Sequence, residues 1–176
     1  MGFATGTEKA RALHYFSYGS NMSIRRFCLR VPSASHIGTG ILRKHELRFH
    51  KVSSKDGSAK CDVQLTGNPD HQAYGVVYRI AEAEKPGLDQ AEGLGFGYEQ
   101  KDVVLEMAGG ALLQAFCYYA TETNPHLKPL DWYKEHVLRG ARENNLPEAY
   151  VRNIETTEAV PDVDAARRKR ELSIYH

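Results

Sequence analysis

Hydrophobic and polar residues alternate through most of the first two-thirds of the chain, a pattern typical of β-strands. The clearest case is residues 73–80, where Tyr74, Val76, Tyr78 and Ile80 fall on one face. Turn-forming residues separate such segments, and Gly109-Gly110 between two apolar runs predicts a hairpin. Strands are predicted over residues 15–18, 36–42, 46–52, 61–66, 73–80, 99–107 and 111–120.

After residue 129 the hydrophobic period changes to that of a helix. Leu130, Tyr133, Val137 and Ala141 recur at the spacing of one helical face. Further helices are predicted over residues 23–29, 81–91, 147–154 and 161–172. Strands followed by helices indicate an α+β fold, in which a curved, mostly antiparallel sheet or barrel carries helices at its side.

Length and composition fit one soluble globular domain. The chain has 176 residues, of which 41% are hydrophobic and 26% are charged. We expect a single domain over residues 1–176, with a loose tail over residues 1–11 and a helical segment over residues 161–176.

The net charge indicates which kinds of partner the protein binds, and the cysteines indicate its cellular compartment. A net charge of +1 argues against a surface built for nucleic acid or anionic membrane. Residues 1–11 contain no apolar segment of the secretory type. Cys28, Cys61 and Cys117 lie far apart and form no disulfide framework. We therefore expect a cytoplasmic protein with neither nucleic-acid nor membrane partners.

The first stretch that suggests chemistry runs from Tyr15 to Met22. An aromatic strand ends at Gly19, which can take backbone angles that other residues resist. Ser20 and Asn21 are suitable N-caps for a helix beginning at Met22. Such a strand–turn–helix directs several backbone N–H groups to one point and can bind an anion or an oxyanion. Taken alone, these residues fit an ordinary strand-to-helix turn better.

Three other stretches favour ordinary structural roles. His45 and His50 are five positions apart, whereas the helical zinc motif needs four, and in a strand they face opposite sides. The glycine-rich residues 93–97 follow a helix and precede a strand, the reverse of a dinucleotide-binding turn. The basic run at residues 167–170 follows Asp162 and indicates a solvated helix. We expect neither a metal nor a cofactor.

Two short motifs carry a family resemblance when they are taken together. They are Tyr18-Gly19-Ser20-Asn21 and, about seventy residues later, Asp89-Gln90-Ala91-Glu92-Gly93, which leads into Tyr98. This pair resembles the gamma-glutamylcyclotransferase family with its AIG2-like relatives. Residues 139–147 are also similar to the late part of the animal enzyme, so the resemblance covers residues 15–154.

The resemblance implies a fold and a reaction. The fold would be a small mixed, mostly antiparallel β-barrel flanked by helices. The reaction would be intramolecular cyclisation of a gamma-glutamyl amide or gamma-glutamyl amino acid to 5-oxoproline, with release of the amine and without a cofactor. The implied partner is a small-molecule substrate, and we expect a monomer or a homodimer.

The resemblance also implies site residues. Glu92 matches the catalytic acid/base, which would take a proton from the substrate's amino group and pass one to the leaving nitrogen. Without the resemblance, Glu92 fits a helix C-terminus before Gly93, although a negative charge is mildly unfavourable there. The implied substrate-binding residues are Tyr18, Gly19, Ser20, Asn21, Met22, Tyr98 and Tyr133.

Departures from the family pattern leave the substrate open. Leu94-Gly95 stands where many bacterial relatives have Tyr-Pro, and Gln100 stands where an arginine is frequent. Two alternatives therefore remain. One is an enzyme of the same fold for a specialised gamma-glutamyl-amine or an acylated metabolite, and the other is a non-catalytic relative that binds a small ligand or a protein.

Overall fold

A computed structural model describes residues 11–176 and contains seven strands and five helices in that range. The strands are β1 (Ala12–Ser17), β2 (Ser35–Arg43), β3 (His45–Val52), β4 (Ala59–Leu65), β5 (Gln72–Ala81), β6 (Tyr98–Met107) and β7 (Leu112–Ala120). The helices are α1 (Ile24–Cys28), α2 (Lys85–Glu92), α3 (Asp131–Glu143), α4 (Glu148–Thr156) and α5 (Ala165–Leu172).

Five of the strands close into a barrel in the order β1-β5-β2-β6-β7. Neighbouring strands are antiparallel except at the closure, where β1 and β7 are parallel and share the single pair Tyr15–Phe116. β3 and β4 form a separate two-stranded antiparallel sheet. The predicted α+β barrel with flanking helices is therefore confirmed.

The predicted hairpin is also confirmed, because β6 and β7 pair along their length. Its connection is longer than the two glycines, since it spans residues 108–111. Gly109 and Gly110 both have positive φ, at 93° and 87°, which favours glycine.

The helix boundaries differ in detail from the prediction. Residues 81–91 divide into a 3₁₀ turn at Glu82–Glu84 and then α2. Pro86 thereby falls in the first turn of α2, where its missing N–H costs no hydrogen bond. α5 begins at Ala165, not at residue 161. The predicted tail lies outside the described residues apart from Arg11. Between residues 11 and 176, no helix is long and apolar enough to cross a membrane.

Helix α3 packs against the turn that follows β1, and Tyr133 on its apolar face contacts β4. Its predicted face is confirmed, because Leu130, Tyr133, Val137 and Ala141 are all buried. At Gly140 the helix backbone comes so close that an added Cβ would lie 2.5 Å from the Cβ of Met22. This contact fixes the turn against α3.

Candidate active site

The turn after β1 differs from the predicted helix start. Ser20–Met22 form a short 3₁₀ turn in which the N–H of Met22 donates to the carbonyl of Gly19 at 3.1 Å. Ser23, not Ser20 or Asn21, occupies the N-cap position of α1, and it makes no side-chain capping bond. The N-cap prediction is therefore wrong. Because the chain makes an extra turn before α1, the Asn21 side chain is available for other contacts.

The reason for glycine at position 19 also differs from the prediction. Gly19 has φ of −119°, which other residues can adopt. A Cβ at this position would lie 3.1 Å from the Cβ of Cys61 and 3.6 Å from the hydroxyl of Tyr133. Glycine at position 19 therefore suits the close approach of the turn to β4, since a Cβ there would force Cys61 to shift.

Glu92 ends α2 and faces this turn. Gly93 follows it in the left-handed conformation, with φ of 78°, and ends the helix. Oε1 of Glu92 accepts hydrogen bonds from Nδ2 of Asn21 at 2.8 Å and from Nη1 of Arg30 at 2.7 Å. Within residues 11–176, Oε2 has no hydrogen-bond partner. One oxygen of the carboxylate is thus anchored and the other is open to a ligand.

Two adjoining cavities surround Glu92. The inner cavity has a volume of about 30 Å³, and the outer cavity has a volume of about 420 Å³. Ser20, Glu92, Tyr98 and Tyr133 line both of them. Seven of the eight residues proposed from the sequence line the inner cavity, namely Tyr18, Gly19, Ser20, Asn21, Glu92, Tyr98 and Tyr133.

Met22 is the one proposed residue that the structure places elsewhere. Its side chain is fully buried in the core, and its N–H is used within the turn. Its carbonyl accepts hydrogen bonds from the hydroxyl of Tyr78 at 2.7 Å and from Nδ2 of Asn144 at 3.0 Å. Met22 therefore holds the turn to the barrel and to the end of α3.

Tyr98 and Tyr133 attach the site to one residue of β4. The Tyr98 hydroxyl donates to the carbonyl of Cys61, and the Tyr133 hydroxyl accepts from the N–H of Cys61 at 3.0 Å. Among the described residues, Tyr98 makes no hydrogen bond to Glu92. Burial raises the pKa of both hydroxyls well above the ordinary value and raises the pKa of the Cys61 thiol to about 12. These groups stay protonated at neutral pH, and Glu92 is the carboxyl group among the described residues that line the inner cavity.

Two buried polar atoms at the inner cavity have no partner among the described residues. They are Oγ of Ser17 and Oδ1 of Asn21. Buried polar atoms are usually hydrogen-bonded, so an unpaired pair beside a cavity suits a polar ligand. The N–H groups of Ser20 and Asn21 also make no hydrogen bond to any residue in the described range.

Sequence reasoning missed several residues of the site. Arg30, which no motif marked, pairs with Glu92 across 62 positions. Tyr118, which no motif marked, donates through its hydroxyl to Asp89 at 2.6 Å, and this bond fixes α2 to the barrel. No periodicity or motif marks such pairs, because they exist only once the barrel has closed.

The stretches assigned ordinary roles make ordinary contacts. His45 contacts the carbonyl of Arg43 at 2.7 Å, whereas His50 contacts Oδ2 of Asp62 at 2.8 Å. Over the described part of the chain, no group of three or more potential metal ligands comes together. In the basic run, Arg167 pairs with Asp162 at 2.6 Å.

Comparisons with known proteins agree with this geometry. The model of the AIG2-like family matches residues 72–154. The Gamma-glutamylcyclotransferase of Mus musculus is 30% identical over 156 residues, which cover 86% of this chain and 81% of the mouse protein. The Homo sapiens protein of the same name is 29% identical over 88% of this chain and 82% of its own length. A solved structure described as Gamma-glutamyl cyclotransferase superposes with a TM-score of 0.79 at 26% identity, covering 88% of this chain and 92% of that one.

Proposed function

Since the chain belongs to the gamma-glutamylcyclotransferase family, we propose that it converts a gamma-glutamyl amide or gamma-glutamyl amino acid into 5-oxoproline and a free amine. The observation that carries the proposal is the state of Glu92. Oε1 is held by Asn21 and Arg30, while Oε2 is open at the junction of the two cavities.

The reaction needs no second substrate. The α-amino nitrogen of the glutamyl group attacks its own γ-carbonyl carbon, and the new C–N bond closes a five-membered ring. The C–N bond to the leaving amine then breaks. An α-amino group titrates near pH 8, so it is mostly protonated at neutral pH. Glu92 takes this proton through Oε2 and returns one to the leaving nitrogen. The second proton that the ring nitrogen loses also ends on the released amine, which leaves as an ammonium ion.

The turn supplies groups for the charge that develops on the γ-carbonyl oxygen. The free N–H groups of Ser20 and Asn21 lie beside the inner cavity, where a carbonyl oxygen can accept from them. Donors that are fixed before the reaction stabilise an oxyanion without reorganising. Met22 contributes indirectly, because its contacts hold the turn in place.

The second contribution of the protein is to orient the substrate for ring closure. Oδ1 of Asn21 can accept a hydrogen bond from the substrate's ammonium group, and Oγ of Ser17 can bond to either end of the amino acid. Holding the glutamyl chain bent supplies up to about 7–11 kcal/mol in the best intramolecular cases. The inner cavity, at about 30 Å³, is too small for a whole glutamyl group, so the rest of the substrate lies in the outer cavity.

The finer properties of the protein remain part of this proposal. We propose one cytoplasmic domain that acts without metal, nucleic acid or membrane, as a monomer or a homodimer. Three free cysteines, two of them buried, support a reducing compartment. Size-exclusion chromatography with light scattering would decide the oligomeric state.

The test is the release of 5-oxoproline, measured by mass spectrometry, from a panel of gamma-glutamyl amino acids and gamma-glutamyl amines. We expect turnover of at least one member without added metal. Release from none of them, by protein with a normal melting curve, would refute the proposed function.

A further inference from the structure

The outer cavity is strongly cationic. Six basic side chains line it, against the three carboxylates of Asp56, Glu92 and Glu171. The basic residues are Arg26, Arg30, Lys51, Lys55, Lys60 and Arg167. An excess of one sign of charge in a concave site favours ligands of the opposite sign.

Most of these cations already have a carboxylate partner. Arg30 pairs with Glu92, and three further pairs have nitrogen–oxygen distances of 2.6–2.8 Å. Those pairs are Arg26–Glu171, Lys60–Asp56 and Arg167–Asp162. In the range 11–176, Lys51 has no carboxylate within ion-pair distance, although only 7% of its surface is exposed. Lys55 is also unpaired there, but it is exposed to solvent.

Neighbouring residues fix the position of the Lys51 ammonium group. Its Nζ lies 4.7 Å from the centre of the Tyr98 ring, and Tyr98 lines both cavities. An added Cβ at Gly97 would lie 3.0 Å from Cε and 3.1 Å from Nζ of Lys51. The absence of a side chain at position 97 thus leaves room for the ammonium group next to the site.

An unpaired ammonium group in such a place is costly. Burial lowers the pKa of Lys51, because the charged form loses part of its hydration. A partly dehydrated cation gains more from an incoming anion than an exposed one does, since water screens the interaction less. Lys51 is therefore suited to bind an anionic group that enters the outer cavity.

The geometry of the proposed reaction says which part of the substrate reaches Lys51. Part of the glutamyl half enters the small inner cavity beside the turn, and Glu92 lies where the two cavities meet. The leaving half must then extend into the outer cavity. Resting on the proposed function, we propose that Lys51 is a specificity-determining residue that binds a carboxylate on the leaving half of the substrate.

The test compares two substrates that differ only in this carboxylate, gamma-glutamyl-L-alanine and gamma-glutamyl-L-alaninamide. The measured quantity is the ratio of their kcat/KM values for 5-oxoproline release. We expect the wild type to prefer the acid at least tenfold. Lys51→Met should lower this ratio at least fivefold, and Lys51→Arg should keep most of it, because the charge remains.

Lys101→Met is the matched control. Lys101 is also partly buried and lies near an aromatic ring, with Nζ 5.3 Å from the centre of the Tyr119 ring, but it lines neither cavity. Its replacement should leave the substrate ratio unchanged. Lys51→Gln serves as a second variant if Lys51→Met melts far below the wild type.

The outcomes separate the two proposals. Equal turnover of the acid and the amide by the wild type would overturn the role of Lys51 and leave the proposed reaction standing. The same conclusion would follow if Lys51→Gln or Lys51→Met kept the wild-type ratio. Release from neither substrate or any other panel member would instead refute the reaction itself.

Discussion

Replacing Glu92 by Gln is the most direct test of the proposed proton carrier. Gln keeps the size of the side chain, and its amide oxygen can still accept from Asn21 and Arg30 in place of Oε1. Oε2, however, becomes an amide nitrogen that can neither take nor return a proton. We expect kcat to fall about 100-fold or more, which is the usual share of one acid/base group and corresponds to about 2.7 kcal/mol.

Stability should change little in this variant. The charge pair with Arg30 is partly exposed, with side-chain exposures of 30% and 17%, so its loss costs about 1 kcal/mol or less. Removing a negative charge from the end of α2 offsets part of this cost. For a chain of this size, a net change within about 1 kcal/mol moves Tm by no more than about 2–4 °C.

The assay is steady-state release of 5-oxoproline together with a thermal melting curve. Glu99→Gln is the matched control, because Glu99 is an exposed acid on β6 and lines neither cavity. It should retain wild-type turnover. Glu92→Gln turnover within about threefold of the wild type would refute the assignment of Glu92, whatever happens to Tm.

Three further predictions concern the frame of the site. Tyr98→Phe removes the hydrogen bond to the Cys61 carbonyl, so activity should fall. The free energy of unfolding, measured by chemical denaturation, should drop by about 0.5–1.5 kcal/mol. Normal activity would show that Tyr98 only supports the fold. Gly19→Ala should reduce kcat/KM, because the new Cβ would contact Cys61. Gly87→Ala on α2 is the control, since the position has open space around it, and it should raise Tm and leave kcat/KM unchanged. Equal kcat/KM values in the two variants would contradict the close-approach argument. Activity should survive EDTA, and its loss with recovery on adding zinc or magnesium would contradict the metal-free mechanism.

The sequence predicted where the strands and helices lie better than it predicted which of their faces are buried. Alternation along β5 located the strand, but it assigned one buried face, whereas Ala73 and Val77 on the other face are buried as well. One face of β5 points into the closed barrel, and Tyr78 on the other face packs against Phe27 of α1, with ring centres 4.5 Å apart. Alternation reports local preference, and it cannot show which surfaces other elements cover later.

In the candidate site, too, the sequence indicated some residues, and others were found only in the folded structure. The motifs at residues 18–21 and 89–93 contain five residues that line the inner cavity, and the family resemblance added Tyr98 and Tyr133. Arg30 and Lys51 carried no motif, because their importance depends on contacts with Glu92, Tyr98 and other residues distant in the chain. Short motifs therefore located the centre of the site, and the charged residues around it required the folded chain.

The closure of the barrel has a consequence for how the site can open. β1 forms six residue pairs with β5 but only the single pair Tyr15–Phe116 with β7, where aromatic rings 5.4 Å apart replace most of the backbone bonding. Local opening costs least where few backbone hydrogen bonds must break. Separating this seam would release one side of Tyr15, a residue of the inner cavity, and leave the β6–β7 hairpin paired. The barrel is thus least tightly bonded along the strand that leads into the site, and we expect any opening of the inner cavity to begin at this seam.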